Sequence, residues 1–393
     1  MKYIKSTFAI LTKKFKYKIN SYLFLNIILI IIFLFLLKFN KKNFSNRFLE
    51  QVFQNNEEDK SQLNNKLAKT LYSKYGKINF NELDKSYNNN TEIFKSFNNI
   101  HISLCTNNDY HLLASVTIAS ILKNANNNTY IHFHIIALNE LNLKIMKKIY
   151  SLKSKINNNS EFIFYDGKKV EKDFELGIKD SKRGAIDYGR LIIPELLNDI
   201  NKVISIDIGD ILVEKDLNEL YELNIEHYGY LGVIDAYPKC FLNSIFNHKE
   251  NYVNGGVILL NVEKWKELNL YQYIVKMFKY VLTQTKFYDP YSDIMNDFLP
   301  WGSTGFMPLK YNHPDYININ KTNQKEYKIW TKDCSYYRDK RDIVIEAENN
   351  VVIRNLNNFK VYEGKGTKKM KKEWNYYAKL TGFYDEICKK YIC

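Results

Sequence analysis

None of the five cysteines of this 393-residue chain (Cys105, Cys240, Cys334, Cys388, Cys393) stands in a CxxC pair, which argues against a structural zinc site. No arginine-rich run or zinc-finger spacing is present either, so nucleic acid is set aside as a partner. No internal repeat is visible, which excludes a repeat architecture. Acidic residues are in deficit, 43 against 57 Lys and Arg, for a net charge of +14. Lys, Asn, Ile, Tyr and Phe are over-used, and all have A/T-rich codons. The charge therefore reads first as the mark of a lysine-biased genome, and second as attraction to an anionic partner such as a nucleotide, an acidic polymer or a membrane surface. A hydrophobic content of 45% is ample for a core. Cys105 ends an apolar strand, where a buried thiol is expected. Cys388 and Cys393 could pair, although the odd total does not establish it. The sequons at Asn89, Asn127, Asn158 and Asn320 are what an Asn-rich chain produces by chance.

The one long charge-free interval runs from Ile19 to Leu37, and at 1.5 Å per residue it would reach about 28 Å, close to the thickness of a bilayer core. Six lysines precede it, and bulky Phe33, Leu36 and Leu37 occupy the place of a small-residue cleavage site. The pattern favours an uncleaved signal anchor over a cleaved signal peptide. The lysine bias points to a cytoplasmic N-terminus with the body on the far side. The expected organisation is a basic tail over 1–18, a transmembrane helix over 19–37, a polar stem over 38–97 and one domain over 98–393.

From Ile100 onward short apolar runs alternate with amphipathic stretches. Strands are expected at Ile102–Cys105, Ile131–Ala137, Phe162–Phe164, Val203–Ile206, Tyr230–Ile234 and Gly256–Asn261. Helices are expected at Leu112–Asn124, Leu141–Lys155, Tyr188–Leu197, Tyr271–Thr283 and Glu373–Tyr391. This alternation indicates βαβ units and a mixed, mainly parallel sheet with helices on both faces, an α/β fold.

One segment carries most of the chemistry: KVISIDIGDILVEKDLNEL, Lys202–Leu220. Asp207 and Asp210 stand where the Val203–Ile206 strand must leave the sheet, and burying two carboxylates so close together is costly unless something compensates. Ligands of open α/β sheets bind at the carboxyl ends of strands, and magnesium is commonly held by carboxylates and substrate phosphates. The segment suggests a metal–diphosphate site.

Six segments in order resemble glycosyltransferase family 8, whose members are nucleotide-sugar transferases of the Rossmann-like GT-A fold. They are HISLCTNNDYHLLASVTIASIL, RGAIDYGRLIIPELL, ISIDIGDILVEKDLNELY, YVNGGVILLNVEKWKE, YSDIMN, and the pair LKYN and EWNYYAKLTGFYDEI. The resemblance covers residues from about 99 to 388. It implies a nucleoside site at Thr106, Asp109 and Tyr110, an arginine at the donor site in Arg190, and a metal held by Asp207 and Asp210. It also implies sugar contacts from Asn254, Ser292 and Asp293, close backbone approach at Gly255 and Gly256, and a further acid at the strand exit Asp235.

Three departures stand out. The family's Asp-x-Asp is stretched by one residue here, with Gly209 the natural accommodation. Its late metal-binding histidine is replaced by Arg354, six residues before Lys360, which matches the lysine that meets the diphosphate. Tyr291 and Ser292 replace an acid and a glutamine. Arginine cannot ligate a cation but pairs bidentately with phosphate. Arg354 and Lys360 are thus expected to take over part of the charge role of manganese or magnesium, leaving the metal only partly required.

The expected activity is transfer of a hexose or pentose from a UDP-sugar to a glycan or protein acceptor with retention. The expected setting is a single-pass type II membrane protein of the Golgi or endoplasmic reticulum with a lumenal domain. The alternative is a nucleotide-sugar-binding protein of the same fold without turnover; a weaker third reading is a structural membrane protein.

Overall fold

Strand β2 (Asn98–Thr106) is covered on both faces: Ile100, Ile102 and Leu104 are buried on one, and Ser103 and Cys105 on the other. Its sequence alternates apolar and polar residues, Ile100, His101, Ile102, Ser103 and Leu104, because the second face packs polar side chains, where a strand apolar on both faces would read as a near-continuous apolar run. The computed structural model describes residues 97–138, 143–175, 185–197, 199–235, 252–281, 290–297, 303–314, 340–356 and 361–391, with 77–79, 299 and 336–337. The chain divides into Met1–Leu63 and Asn64–Cys393, and every described residue belongs to the second unit.

β2 pairs in parallel with β3 (Thr129–Ala137), and β3 with β4 (Ser160–Asp166). On its other side β2 pairs in parallel with β5 (Lys202–Ile206). The antiparallel β8 (Val253–Asn261) and β7 (Tyr230–Ile234) follow, then β9 (Thr304–Phe306), parallel to β7. The far edge is β1 (Lys77–Asn79), antiparallel to β4; it comes from the stretch expected as a stem. The order is β1-β4-β3-β2-β5-β8-β7-β9, a mixed and mostly parallel sheet as expected. A second sheet joins β10 (His313–Pro314), β11 (Ile353–Asn355) and β6 (Ile211–Val213). The helix His111–Asn124 is buried from Leu112 to Leu122. Its hydroxyls serve the small sheet: Thr117 Oγ1 donates to Ile211 O at 3.1 Å, and Ser120 Oγ accepts from Val213 N at 3.0 Å.

Three expected helices are broken: Leu141–Lys155 becomes Leu143–Tyr150 and Leu152–Ile156, and the other two break for local reasons. Tyr188–Leu197 becomes Ile186–Gly189, a 3-10 turn at Arg190–Ile192, and Ile193–Leu196. Pro194 brings no backbone donor to that stretch, so it is tolerated only in the first turn of the last piece. Glu373–Tyr391 becomes Lys368–Leu380 and Tyr384–Lys390, separated at Gly382, whose φ of 71° stops a helix.

The membrane anchor is a correction. Among the described residues no helix is long and apolar enough to cross a membrane, and residues 19–37, where the anchor was expected, lie outside them. The long apolar helix that is described, His111–Asn124, has 14 residues, about 21 Å against a bilayer core of about 30 Å, and its apolar surface is already buried in protein. The single-pass type II topology, the membrane partner and the lumenal Golgi or reticulum placement, which rested on that span, are withdrawn with it.

The main sheet also carries a polar layer. His101 Nδ1 lies 3.0 Å from His134 Nε2, and His134 Nδ1 lies 3.0 Å from the Tyr165 hydroxyl. The His101 ring stacks on His132 at 4.4 Å, and His132 Nδ1 meets Glu161 Oε1 at 2.5 Å. Burial, and then the neighbouring His132, push His101 down to about 3 from 6.5. Burial, and then the Arg354 charge, push the fully buried His313 down to about 3 as well. Both stay neutral in the folded chain, while the unfolded chain protonates them near 6.5. The unfolded state therefore binds more protons below that pH, and stability falls as pH falls from 6.5 toward 3, by up to about 1.4 kcal/mol per unit for each histidine. The urea midpoint is expected to drop between pH 7 and pH 5, and less steeply in His101→Gln and His313→Gln. An equal drop in all three proteins would contradict this account.

Candidate active site

Strands β2, β5 and β7 leave the sheet at one edge, because β5 is parallel to β2 and the antiparallel β8 lies between β5 and β7. Ile102 pairs with Ile204, and extending that register brings Thr106 level with Ile208. The loop after β2 is shaped by Asn107, whose Oδ1 accepts from Asp109 N at 2.9 Å and Tyr110 N at 3.0 Å. Thr106 is buried, Tyr110 is half-buried and packed on the core, and the Asp109 side chain is 82% exposed. A carboxylate is thus turned outward from a fixed backbone at the end of the central strand.

After β5 the chain turns through Asp207 and Gly209. Asp207 N donates to Gly256 O at 2.8 Å, and Asp207 Oδ1 accepts from Ile208 N at 2.8 Å. Gly209 has φ of 89°, and a Cβ there would lie 3.0 Å from Leu113. The stretched spacing of the two acids is accommodated at this residue. The turn is pinned from two helices: Gly209 N donates to Thr117 Oγ1 at 3.0 Å, and Trp374 Nε1 donates to Gly209 O at 3.0 Å. Asp210 is buried, and its carbonyl accepts from Leu356 N at 2.7 Å.

The centre of the site is Asn254 on β8. Its Nδ2 donates to Asp235 Oδ2 at 2.8 Å, and its Oδ1 accepts from Gly256 N at 2.9 Å and Asn312 Nδ2 at 2.9 Å. Asn355 Nδ2 lies 3.4 Å from the same oxygen and donates to Asn312 Oδ1 at 2.9 Å. Space there is tight: a Cβ on Gly256 would lie 2.8 Å from Asn355 Nδ2 and 2.9 Å from Asn254 Oδ1. The expected amide for sugar hydroxyls is largely spent on joining β7, β8, β11 and the Leu309–Tyr311 turn, so Asn254 positions Asp235.

A layer behind fixes β8. Arg190, itself buried, donates from Nη1 to Gly255 O at 2.7 Å. Gly255 N donates to Ser292 Oγ at 3.0 Å, and the Tyr252 hydroxyl donates to Asp293 Oδ1 at 2.7 Å. Asn296 closes the layer, accepting from Val253 N at 2.7 Å and donating to Val253 O at 2.8 Å. Nine expected residues are therefore gathered around β8 and the β5 exit: Arg190, Asp207, Asp210, Asp235, Asn254, Gly255, Gly256, Ser292 and Asp293.

Arg354 is placed differently. Successive strand residues face opposite sides, and while Asn355 meets Asn254, Arg354 turns to carboxylates. Its Nε lies 2.5 Å from Glu214 Oε1 and 4.0 Å from Glu373 Oε2, and its Nη1 3.8 Å from Glu348 Oε2. Lys360 and the Tyr291 side chain lie outside the described residues.

The expected metal centre is the second correction. Among the described residues no group of three or more His, Cys, Asp or Glu could hold a metal ion. The donor set at the β5 exit is two carboxylates, one of whose oxygens already accepts from Ile208 N. The position of the family's third ligand carries a guanidinium, which has no lone pair to give. The residues present do not fit a three-ligand metal centre.

Sequence reasoning gave no role to Asn107, Tyr252, Asn312 and Asn355; Asn296 had been singled out with Asp293 in YSDIMN. All four lie inside segments already singled out (HISLCTNNDYHLL, YVNGGVILLN, LKYN and VVIRNLNN), so their surroundings gave a usable signal.

Comparisons with known proteins agree with this geometry. The sequence model of glycosyl transferase family 8 matches residues 101–334. A Haemophilus influenzae protein named "Putative glycosyltransferase" is 29% identical over 169 residues, 38% of this chain and 50% of that protein; the chain thus matches half the length of this curated relative. Among solved structures, the apo bifunctional glycosyltransferase WbbM superposes with a TM-score of 0.56 at 20% identity, over 75% of this chain and 52% of its own. The galactosyltransferase LgtC, solved with donor and acceptor sugar analogues, superposes with a TM-score of 0.55 at 18% identity, over 72% of this chain and 95% of its own. At those identities the two structures speak for the GT-A fold, while the family match spans more than half of the chain. With strand exits, fold and sequence in agreement, this chain is a glycosyltransferase, a divergent member of glycosyl transferase family 8.

Proposed function

We propose that the chain transfers a hexose or pentose from a UDP-sugar to a glycan or protein acceptor with retention of configuration. One observation carries the reading: the outward carboxylate of Asp109, the acids Asp207 and Asp210, and the Asp235–Asn254 pair all stand at one edge of the sheet. That edge is where open α/β folds bind ligands. In this reading the nucleoside lies against Asp109 and Tyr110, and the diphosphate lies near the β5 exit. The sugar lies by Asp235, held in place by Asn254 and the Ser292–Asp293 layer.

The acceptor hydroxyl oxygen attacks the anomeric carbon on the face that the diphosphate leaves. The bond from that carbon to the phosphate oxygen breaks with its electron pair staying on UDP, and the hydroxyl proton passes to the departing phosphate. No protein base is required for this route. What the protein must supply is orientation and stabilisation of the growing phosphate charge. Arg354 and Lys360 are the candidate cations, and Arg354 would have to exchange Glu214 for phosphate to serve.

The test is a thermal-shift panel of UDP-sugars on the full chain, with manganese and with chelator, followed by hydrolysis and transfer assays on each hit. A ligand at about 100 times its Kd stabilises by about 2.7 kcal/mol, which is several degrees for a domain of this size. A stabilising UDP-sugar that is also hydrolysed or transferred is expected. Stabilisation without turnover would favour the binding-protein reading instead.

A further inference from the structure

The nucleoside loop is held from both sides, and only one side comes from its own neighbourhood. Asn107 Oδ1 takes the amide hydrogens of Asp109 and Tyr110. The carbonyl of Asp109 is taken by residues about 280 positions away: Lys390 Nζ at 2.5 Å and the Tyr391 hydroxyl at 3.0 Å. Lys390 Nζ also lies 3.7 Å from Asp109 Oδ1.

These two residues sit at the end of a well-anchored element. The helix Tyr384–Lys390 is fixed by the fully buried Ile387 and by the Lys148–Glu386 ion pair. Tyr391 continues from it, with its N donating to Ile387 O at 2.7 Å and its ring edge-on to Tyr362 at 5.8 Å. Burial, and then Tyr110 and Asp109, raise the Tyr391 hydroxyl, so it stays protonated and able to donate.

We propose that Lys390 and Tyr391 form a clasp that sets the nucleoside loop of the donor site, acting as positioning residues for the nucleoside half of a UDP-sugar. The inference rests on the proposed UDP-sugar reading and adds to it two residues from the other end of the domain. Fixing the Asp109 carbonyl leaves its carboxylate outward and holds the adjoining Tyr110 in place. A contact kept only for stability would be poorly placed here. Lys390 and Asp109 are both exposed, and exposed ion pairs contribute little to stability. The bonds go instead to the backbone of the residue whose side chain is offered to solvent at a strand exit.

The test uses full-length Tyr391→Phe and Lys390→Met. Each removes one donor to the Asp109 carbonyl, and the loss of one such hydrogen bond corresponds to about fivefold in affinity. The expected result is a rise of about fivefold in the KM for the UDP-sugar and in the Kd for UDP. The kcat and the melting temperature are expected to stay near those of the wild type. Amide exchange at Asp109 and Tyr110 is expected to accelerate in both variants. A wild type that binds UDP while both variants bind it equally well overturns the clasp and leaves the donor reading intact. A fall in kcat at unchanged KM, or unaltered exchange at the loop, overturns it too. A wild type that binds no UDP-sugar removes the donor reading and the clasp together.

Discussion

Replacing Asn254 by alanine is expected to lower sugar transfer by about 100-fold or more and to destabilise the domain by about 2–4 kcal/mol. Its oxygen is the acceptor for Gly256 N and Asn312 Nδ2, and its nitrogen holds Asp235. The truncation leaves those groups to find new partners in a tight space, and an unsatisfied buried polar group costs about 1–3 kcal/mol. The total stays below the sum because Asp235 and Asn254 are only half-buried, so water can answer part of the demand. The larger effect falls on catalysis: Asp235 loses its tether, and a misplacement of about 1 Å can cost about 100-fold. Asn254→Asp separates the two effects. It keeps an acceptor for Gly256 and Asn312 but sets a second carboxylate against Asp235, so stability suffers less while transfer remains low. Transfer rate and urea midpoint, measured on both variants, decide the matter; Asn254→Ala retaining transfer within about threefold would show that Asn254 is not the hub.

Arg354→Met is expected to destabilise the domain by about 2–3 kcal/mol at neutral pH. The guanidinium is buried and faces Glu214, Glu348 and Glu373. Removing it leaves three carboxylates around an apolar side chain. Breaking a fully buried pair costs about 3–5 kcal/mol; the smaller figure follows because these side chains are 20–32% exposed. Adding Glu214→Gln to the Arg354→Met background should restore part of the loss at pH 7. Chemical denaturation at pH 7 of the single and the double variant reads both effects. An Arg354→Met variant as stable as the wild type at pH 7 would mean that the cluster holds nothing together.

Much of the fold could be read before the structure, for a physical reason. Strands such as Val203–Ile206 and Tyr230–Ile234 are short apolar runs bounded by turn residues, and their burial on both faces leaves a local mark. Breaks within helices were harder. Pro194 and Gly382 act through backbone geometry that a hydrophobic pattern does not register. In the site, acids at strand exits were legible because a carboxylate ending an apolar run is conspicuous. What Asn254 does was not, because its partners Asn312, beside β10, and Asn355, on β11, reach it only when the small sheet assembles in three dimensions. The position of Arg354 was readable while its partner was not: the sequence pattern aligns it with a ligand, but pairing of β11 with β6 delivers it to Glu214. The clasp on Asp109 links residues more than 280 positions apart, beyond the reach of any local motif. Length and hydropathy suggested an anchor over 19–37; no described helix has that character.

A donor site at the shared edge of β2, β5 and β7 is tested most directly by a calorimetric titration of the full chain with UDP. One-to-one saturable binding is predicted for the wild type, weakened by about tenfold or more in Asp109→Ala. Absence of binding, or equal affinity in the wild type and the Asp109→Ala variant, would contradict it.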